Sequence, residues 1–159
     1  MSSSMPATEN DRIEKRLVLS APRARVWRAI SDAVEFGQWF RVSLEGSFRP
    51  GKTIFGRVTY PGYEHLKLEM QIVEVVPERY FSYRWRPNAI DPAKDYSSEP
   101  MTLVEFTLEE APRAEGTLLT IVESGFDRVP VERRAEAFRN NDNGWSEQLK
   151  NIERHVAQS

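Results

Sequence analysis

Glu123 is the carboxylate whose position in the sequence most suggests chemistry. It follows Leu119 and Ile121 at a spacing of two, and side chains two residues apart along a strand share one face. If that face is the inner one, Glu123 is buried and needs hydrogen-bond donors or a water-filled cavity around it. If Leu118 and Val122 mark the inner face instead, Glu123 is solvated, as most carboxylates are. Both placements stay open at this point.

Asn141 is the polar residue that interrupts an otherwise apolar helix face. It lies one turn before Trp145, so both side chains project from the same side of the helix. The amide could contact Glu123 or a ligand across a cavity. Alternatively it marks a kink or a new cap, because Asn140–Gly144 has poor helix propensity. The apolar stripe of this helix is predicted from Val131, Ala135, Phe138, Trp145, Leu149, Ile152 and Val156.

The other residue types that commonly carry catalysis give little support for an enzyme site. His65 follows a turn and could act as an acid or base at a cavity mouth, but no triad spacing accompanies it. His155 is predicted to be exposed near the end of the chain. The absence of cysteine excludes thiolate nucleophiles and Cys-ligated zinc, and no phosphate loop or dinucleotide fingerprint occurs. The sequence therefore predicts no metal, no cofactor and no assignable catalytic residue.

Aromatic residues make up 11% of the chain, and several alternate along predicted strands. They can line an apolar pocket or simply fill the core, which is the usual place of aromatic side chains. Together with the polar candidates, they define a predicted cavity lining. Its members are Trp39, Phe40, Tyr60, Tyr63, His65, Tyr83, Trp85, Phe106, Glu123, Asn141 and Trp145.

The composition of the 159 residues limits the classes of partner. With 22 basic and 24 acidic residues, the net charge of -2 argues against nucleic acid as a partner. No apolar run approaches the ~20 residues that span a bilayer, and no signal peptide is recognised, so we expect a cytoplasmic protein without membrane insertion. Residues 1–11 are predicted to be a disordered tail, and residues 12–159 a single domain.

The elements that must position the candidates follow a simple order. A strand (Ile13–Ser20) precedes a helix opened by Pro22 and a second short helix from Asp32, with Glu35 at capping-box spacing. A meander of strands follows, with a long loop between Pro87 and Pro100. The alternation slips at Val73, which a bulge or coverage of both faces would explain. The predicted strands are Val42–Phe48, Thr53–Tyr60, Leu66–Val76, Phe81–Trp85, Val104–Leu108 and Thr117–Ser124, with a hairpin turn at Ala111–Gly116. This predicts an α+β fold in which a curved antiparallel sheet of about six to seven strands wraps around a long C-terminal helix.

Several segments resemble those of START-like (SRPBCC) helix-grip domains. They are Ser20–Ile30, Gln38-Trp39-Phe40, Gly116-Thr117, Glu123-Ser124-Gly125-Phe126, Asn141 and Gly144-Trp145. The closest resemblance is to the AHSA family, which includes the C-terminal domain of the activator of the ninety-kilodalton heat-shock protein ATPase, and it extends from Ile13 to Val156. The resemblance implies a deep cavity between the sheet and the C-terminal helix, which START-like relatives use for lipids, hormones, polyketides or aromatic compounds.

Three functions are compatible with these observations. The first is a non-enzymatic module that binds a small apolar or aromatic molecule. The second is an enzyme of the cyclase, dehydratase or hydrolase type that uses Glu123 in the cavity, with His65 or a tyrosine assisting. The third is a co-chaperone-like regulator of a heat-shock ATPase, ranked last because the N-terminal domain of the eukaryotic co-chaperone is expected to be missing. A homodimer is compatible with all three.

Overall fold

The computed structural model describes residues 11–91, 93–112 and 115–158. The predicted tail therefore lies outside the described residues, apart from Asp11, and so do two residues of the predicted turn at Ala111–Gly116. The strands are β1 (Arg12–Leu19), β2 (Val42–Glu45), β3 (Thr53–Val58), β4 (Lys67–Val76), β5 (Tyr80–Trp85), β6 (Thr102–Glu110) and β7 (Thr117–Ser124). The helices are α1 (Arg23–Ser31), α2 (Ala33–Phe40) and α3 (Val131–Ala157), and a 3-10 helix covers Phe126–Arg128.

The strands form one antiparallel sheet in the order β1-β7-β6-β5-β4-β3-β2. The first strand, β1, pairs with the last, β7, so two strands that are distant in sequence meet at one side of the sheet. The concave face of the curved sheet packs against α2 and α3. The predicted fold class, an α+β helix-grip arrangement with two short helices after the first strand, is confirmed.

Local sequence features explain where the strands bend and end. The register of β4 on β5 shifts between Ile72 and Glu74, which confirms a bulge as the explanation of the slip at Val73. β2 is shorter than predicted and ends at Glu45, because the next residue, Gly46, adopts a φ of 101° that extended chain does not have.

The two short helices begin as predicted, with one difference in capping. Pro22 precedes α1, and the Asp32 carboxylate accepts a hydrogen bond of 3.0 Å from the Val34 backbone N–H at the start of α2. Glu35 does not close the expected capping box. Its carboxylate turns away to bind side chains of α1 and α3 instead, as described below.

Helix α3 runs without interruption for 27 residues, straight through the Asn140–Gly144 segment. Its buried positions include Ala137, Trp145, Leu149, Ile152 and Val156. The prediction that Val131 and Ala135 belong to the stripe is wrong, since both are exposed. Ala135 lies ten residues before Trp145, which at 3.6 residues per turn rotates it away from the stripe, and Val131 belongs to the exposed first turn.

Candidate functional site

Glu123 lies at the centre of the most unusual polar cluster in the fold. It is fully buried on the inner face of β7 (0% exposed), which is the first of the two placements considered from the sequence. Its Oε1 accepts from Asn141 Nδ2 at 2.9 Å and Trp145 Nε1 at 2.8 Å. Its Oε2 accepts from Trp85 Nε1 at 2.8 Å and Thr102 Oγ1 at 2.6 Å. A carboxylate has about four acceptor sites, so these four neutral donors fill them.

The sheet register explains why three of these residues meet. Trp85 lies directly opposite Thr102 on the neighbouring strands β5 and β6. Glu123 pairs with Val104, and is therefore a diagonal neighbour of Thr102 across β6 and β7. Because side chains alternate along each strand, all three of the clustered residues point to the inner face.

Helix α3 completes the cluster from the opposite side. Asn141 and Trp145 are one turn apart, so their two N–H donors reach the same oxygen of Glu123. The indole of Trp145 also stacks on that of Trp85, with ring centroids 5.8 Å apart and an interplanar angle of 29°. The carboxylate therefore ties β7, β6, β5 and α3 together at one point.

The pKa values of Glu123 and Tyr83 are both shifted by their surroundings. Burial raises the pKa of Glu123, and the hydrogen bonds from Thr102, Trp85, Trp145 and Asn141 offset this only in part. Burial, with a smaller contribution from the charge of Glu123, raises the pKa of Tyr83 well above its usual value. The Tyr83 hydroxyl is buried, and no group in the described part of the chain hydrogen-bonds to it.

A solvent-open cleft of about 450 Å³ adjoins this cluster. Gln71 of β4 pairs with Arg84 of β5, which places Met70 opposite Trp85, the last residue of β5. The first three residues of β4 therefore extend beyond the end of β5. The cleft lies beside this extension. Its sheet side includes Val58, Leu66 and Leu68, its outer wall includes Pro87, Ile90 and Tyr96, and its inner end includes Phe40, Trp85 and Asn141.

Two residues belong to both the cleft and the polar cluster. Trp85 and Asn141 line the cleft, and both donate hydrogen bonds to Glu123. Glu123 itself does not line the cleft. The carboxylate therefore lies behind the inner wall and acts on the cleft only through these two neighbours.

Comparison with known proteins identifies the family. The model of the family described as activator of Hsp90 ATPase homolog 1-like protein matches residues 20–157. The chain belongs to this family. The predicted AHSA resemblance is thus confirmed, and no curated protein matches the chain.

Solved structures share the AHSA1-like fold at low sequence identity. Protein MLL2253 from Mesorhizobium loti is 24% identical with a TM-score of 0.72, over 93% of this chain and 98% of that one. The Aha1 dimer from Colwellia psychrerythraea is 14% identical with a TM-score of 0.68, over 91% and 95%. DynU16, from the dynemicin biosynthetic locus, is 22% identical with a TM-score of 0.69, over 92% of this chain and 47% of that one. These likenesses establish the fold of the AHSA1-like domain.

The predicted lining residues of the AHSA1-like domain occupy three different environments. Phe40, Trp85 and Asn141 line the cleft. A second group is buried in the core, where the rings pack against one another and against Phe36: this group is Trp39, Tyr83, Phe106 and Trp145. The structure therefore brings the first group together at the end of the cleft and leaves the second as packing around it.

The third group lies in the turn between β3 and β4 and is exposed. Tyr60 is 51% and Tyr63 53% exposed, and their rings contact each other at a centroid distance of 5.7 Å. His65 is also exposed. None of the three lines the cleft.

Arg133, which the sequence gave no reason to select, holds the outer wall of the cleft in place. Its guanidinium donates to the Pro87 carbonyl oxygen at 2.8 Å and to Glu99 Oε1 at 2.9 Å, and lies 4.9 Å from the Tyr96 ring centroid. The hydrogen bond from Arg133 is also the main cause of the lowered pKa of Glu99. Arg133 thus fastens the loop between β5 and β6 to α3, and Asn140 Nδ2 adds a second link by donating to Asn88 Oδ1 at 3.3 Å.

A second polar cluster joins α2 to the end of α3. Glu35 accepts from Arg25 at 2.9 Å and Arg28 at 2.6 Å, and His155 Nε2 lies 2.8 Å from its Oε1. Burial alone raises the pKa of Glu35, but the hydrogen bonds from His155, Arg28 and Arg25 together hold it below its usual value. The prediction that His155 is exposed is wrong, because the last turns of α3 pack on α2 and bring it to Glu35.

Over residues 11–91, 93–112 and 115–158, no three His, Asp or Glu side chains are grouped to hold a metal ion. In the same ranges, no helix is long and apolar enough to cross a membrane.

Proposed function

We propose that this AHSA1-like domain binds a small apolar or amphipathic molecule in the cleft beside β4. The observation that carries the proposal is the form of the cleft, which has a volume of about 450 Å³ and walls whose greater part is apolar. The polar part of the lining comes from the Asn141 amide at the inner end and from Lys67, Glu69, Arg86, Asn88, Asp95 and Ser97. Volumes of about 300–1,000 Å³ with few polar groups are typical of ligand sites.

The proposed site differs in position from the cavity that the family resemblance implies. Between the sheet and α3 the aromatic rings are in contact, with the Trp145 centroid 5.8 Å from that of Trp85 and 5.8 Å from that of Phe106. A ligand would enter at the edge of the sheet and reach the inner face at Phe40 and Trp85. The proposed binding residues are therefore Phe40, Trp85 and Asn141, together with the walls of the cleft.

The burial of Glu123 favours binding over the enzymatic alternative. A general acid or base must reach a substrate atom directly or through one water molecule. Glu123 is 0% exposed, its acceptor sites are filled, and Trp85 and Asn141 separate it from the cleft. The geometry therefore supports a structural and positioning role for this carboxylate rather than proton transfer to a ligand.

A chaperone partner and a homodimer have support only from the comparisons with known proteins. The family is described by ATPase activation, and one structural neighbour is a dimer, so a chaperone partner and a homodimer are retained as secondary proposals. An ATPase assay with the cognate heat-shock protein and sedimentation of the purified domain test them. We also propose that residues 12–159 form one domain that functions in the cytoplasm.

A ligand screen tests the binding proposal. Fatty acids, flavonoids and aromatic metabolites would be compared by thermal shift, since a ligand that binds only the folded state raises stability as its concentration exceeds Kd. Bound ligands should shift the NMR signal of the Trp85 indole N–H.

Filling the cleft provides the matched control. Ala89 lines the cleft, whereas Ala135 is exposed on α3. We expect Ala89→Trp to abolish binding and Ala135→Trp to leave it unchanged. Stabilisation by none of the compounds, or equal binding by Ala89→Trp, would contradict the proposal.

A further inference from the structure

The two ends of the Asn141 amide have different surroundings. Its Nδ2 donates to Glu123 Oε1 at 2.9 Å, on the buried side. Asn141 also lines the cleft and is only half-buried. No donor among the described residues reaches its Oδ1. Oδ1 is therefore the atom of this amide that has no partner among the described residues, and a carbonyl oxygen can only accept a hydrogen bond.

Glu123 enforces this orientation of the amide. A flipped Asn141 would place Oδ1 against Glu123 Oε1, so that two acceptors would face each other. The indole N–H groups of Trp85 and Trp145 can only donate, so both carboxylate oxygens must remain acceptors.

Protonation of Glu123 does not remove the constraint. If Oε2 is protonated, its O–H can donate to Thr102 Oγ1, 2.6 Å away. The Thr102 hydroxyl can then donate to the Trp85 carbonyl oxygen, 3.4 Å away. Oε1 then still accepts from Asn141. The amide keeps its orientation in the ionised state and in this protonated state.

The rest of the inner end consists of two aromatic rings that are inclined to each other. The rings of Phe40 and Trp85 lie 5.7 Å apart by centroid and 57° apart in plane. Arg86, which follows Trp85 and also lines the cleft, is already engaged by Glu69 at 3.4 Å and by the Ser97 carbonyl oxygen at 2.9 Å. A ligand at this end therefore meets two aromatic rings and the Asn141 amide, whose Oδ1 is free to accept a hydrogen bond.

We infer that Asn141 is a specificity-determining residue, positioned by Glu123, and that the cleft selects flat apolar ligands carrying a hydroxyl or N–H donor. The same skeleton with its donor methylated should bind less well. This inference rests on the proposed function, because it concerns the ligand class of the same cleft.

Matched probe pairs test the inference. Naphthalen-2-ol would be compared with 2-methoxynaphthalene, and indole with 1-methylindole, with Kd taken from NMR titrations. We expect the donor-bearing member to bind about three- to tenfold more tightly, the range that one hydrogen bond provides. Added methyl groups favour burial in an apolar site, so this preference opposes the simple hydrophobic trend.

Two leucine substitutions on α3 separate the role of the amide from general effects. Asn141→Leu should reduce the ratio of Kd values to near one by weakening the donor-bearing probes. Asn143→Leu, at an exposed position of the same helix, should leave the ratio unchanged. Glu123→Met, which removes the carboxylate acceptors, should also bring the naphthol ratio to near one. In that variant the freed amide NH₂ can donate to the ether oxygen, so the ether should bind more tightly.

A ligand-free measurement tests the orientation of the amide on its own. The Asn141 NH₂ and Trp145 indole N–H donate to the same oxygen, so a nuclear Overhauser effect should connect their hydrogens. Its absence in the wild-type protein would overturn the inference even if Glu123→Met fails to fold. Equal binding of both members of each pair, or binding only of compounds without a donor, would overturn the inference and leave the proposed function intact. Binding of no compound at all would overturn both.

Discussion

Replacing Glu123 by glutamine removes a charge and two acceptor sites while it preserves the shape of the side chain. The carboxylate accepts from two indoles, one hydroxyl and one amide. Glutamine offers a carbonyl oxygen to one side of the cluster and an NH₂ group to the other. Thr102 and Asn141 can each reorient to accept from that NH₂ group, but an indole cannot. Whichever way the glutamine turns, one indole N–H is therefore left without an acceptor.

The expected loss in the free energy of unfolding follows from that single indole N–H without an acceptor. A buried group that loses its hydrogen-bond partner costs about 1–3 kcal/mol, so Glu123→Gln should lower the free energy of unfolding by this amount at neutral pH. Urea unfolding monitored by tryptophan fluorescence measures the change, with the m-value checked for constancy. Glu123→Met, which orphans both indoles, should cost roughly twice as much.

The opposite result is physically reasonable and would refute this reasoning. Burying a carboxylate without a cation carries a desolvation penalty, and neutral replacements of buried charges sometimes stabilise proteins. If Glu123→Gln is as stable as the wild type or more stable, the four donors do not outweigh that penalty. The account of Glu123 as the fixed acceptor of the cluster would then fail.

Further substitutions and a pH series test the remaining contacts. Trp145→Ala should cost about 3–5 kcal/mol in urea unfolding, because it empties a buried ring site, and Asn141→Ala should cost much less. Arg133→Lys loses the fork that binds Glu99, so hydrogen exchange should be faster in the loop between β5 and β6, with little change in the strands. Burial raises the pKa of Glu123 above its usual 4.5, so protonation of this carboxylate favours the folded state. The stability advantage of the wild type over Glu123→Gln should therefore be largest near pH 4. It should decline as the pH rises through the folded-state pKa. An advantage that grows with pH would contradict the direction of that shift.

The sequence predicted the fold well because the sheet is built from local signals. Alternating apolar residues indicate the strands, Pro22 and Asp32 mark the starts of the two short helices, and glycine-containing turns separate strands. The inward placement of Glu123 also follows from local alternation with Leu119 and Ile121, once the inner face is known. These features depend on neighbours in the chain, which a sequence contains.

The composition of the polar cluster could not be predicted, because it depends on register. Thr102 meets Glu123 only through the diagonal pairing of β6 and β7, and Trp85 meets it only through pairing with Thr102. No local pattern distinguishes this threonine from others in the chain. The sequence nevertheless suggested the contact between Asn141 and Glu123, since both are polar residues on otherwise apolar faces.

The position of the cleft also depends on relationships between distant segments. It lies where β4 continues past β5 and where Arg133 holds the loop against α3. Strand lengths read from a sequence are uncertain by a few residues, which is the size of this extension. Tyr60 and Tyr63, plausible lining residues by type, lie in the turn between β3 and β4 and are exposed.

A crystal structure of the protein with naphthalen-2-ol tests the central claim most directly. The account predicts the naphthalene ring against Phe40 and Trp85, with the hydroxyl at about 2.7–3.0 Å from Asn141 Oδ1. The Asn141 Nδ2 should still donate to Glu123 in that complex. A ring bound elsewhere on the protein, or a hydroxyl directed away from Asn141 toward solvent, would contradict it.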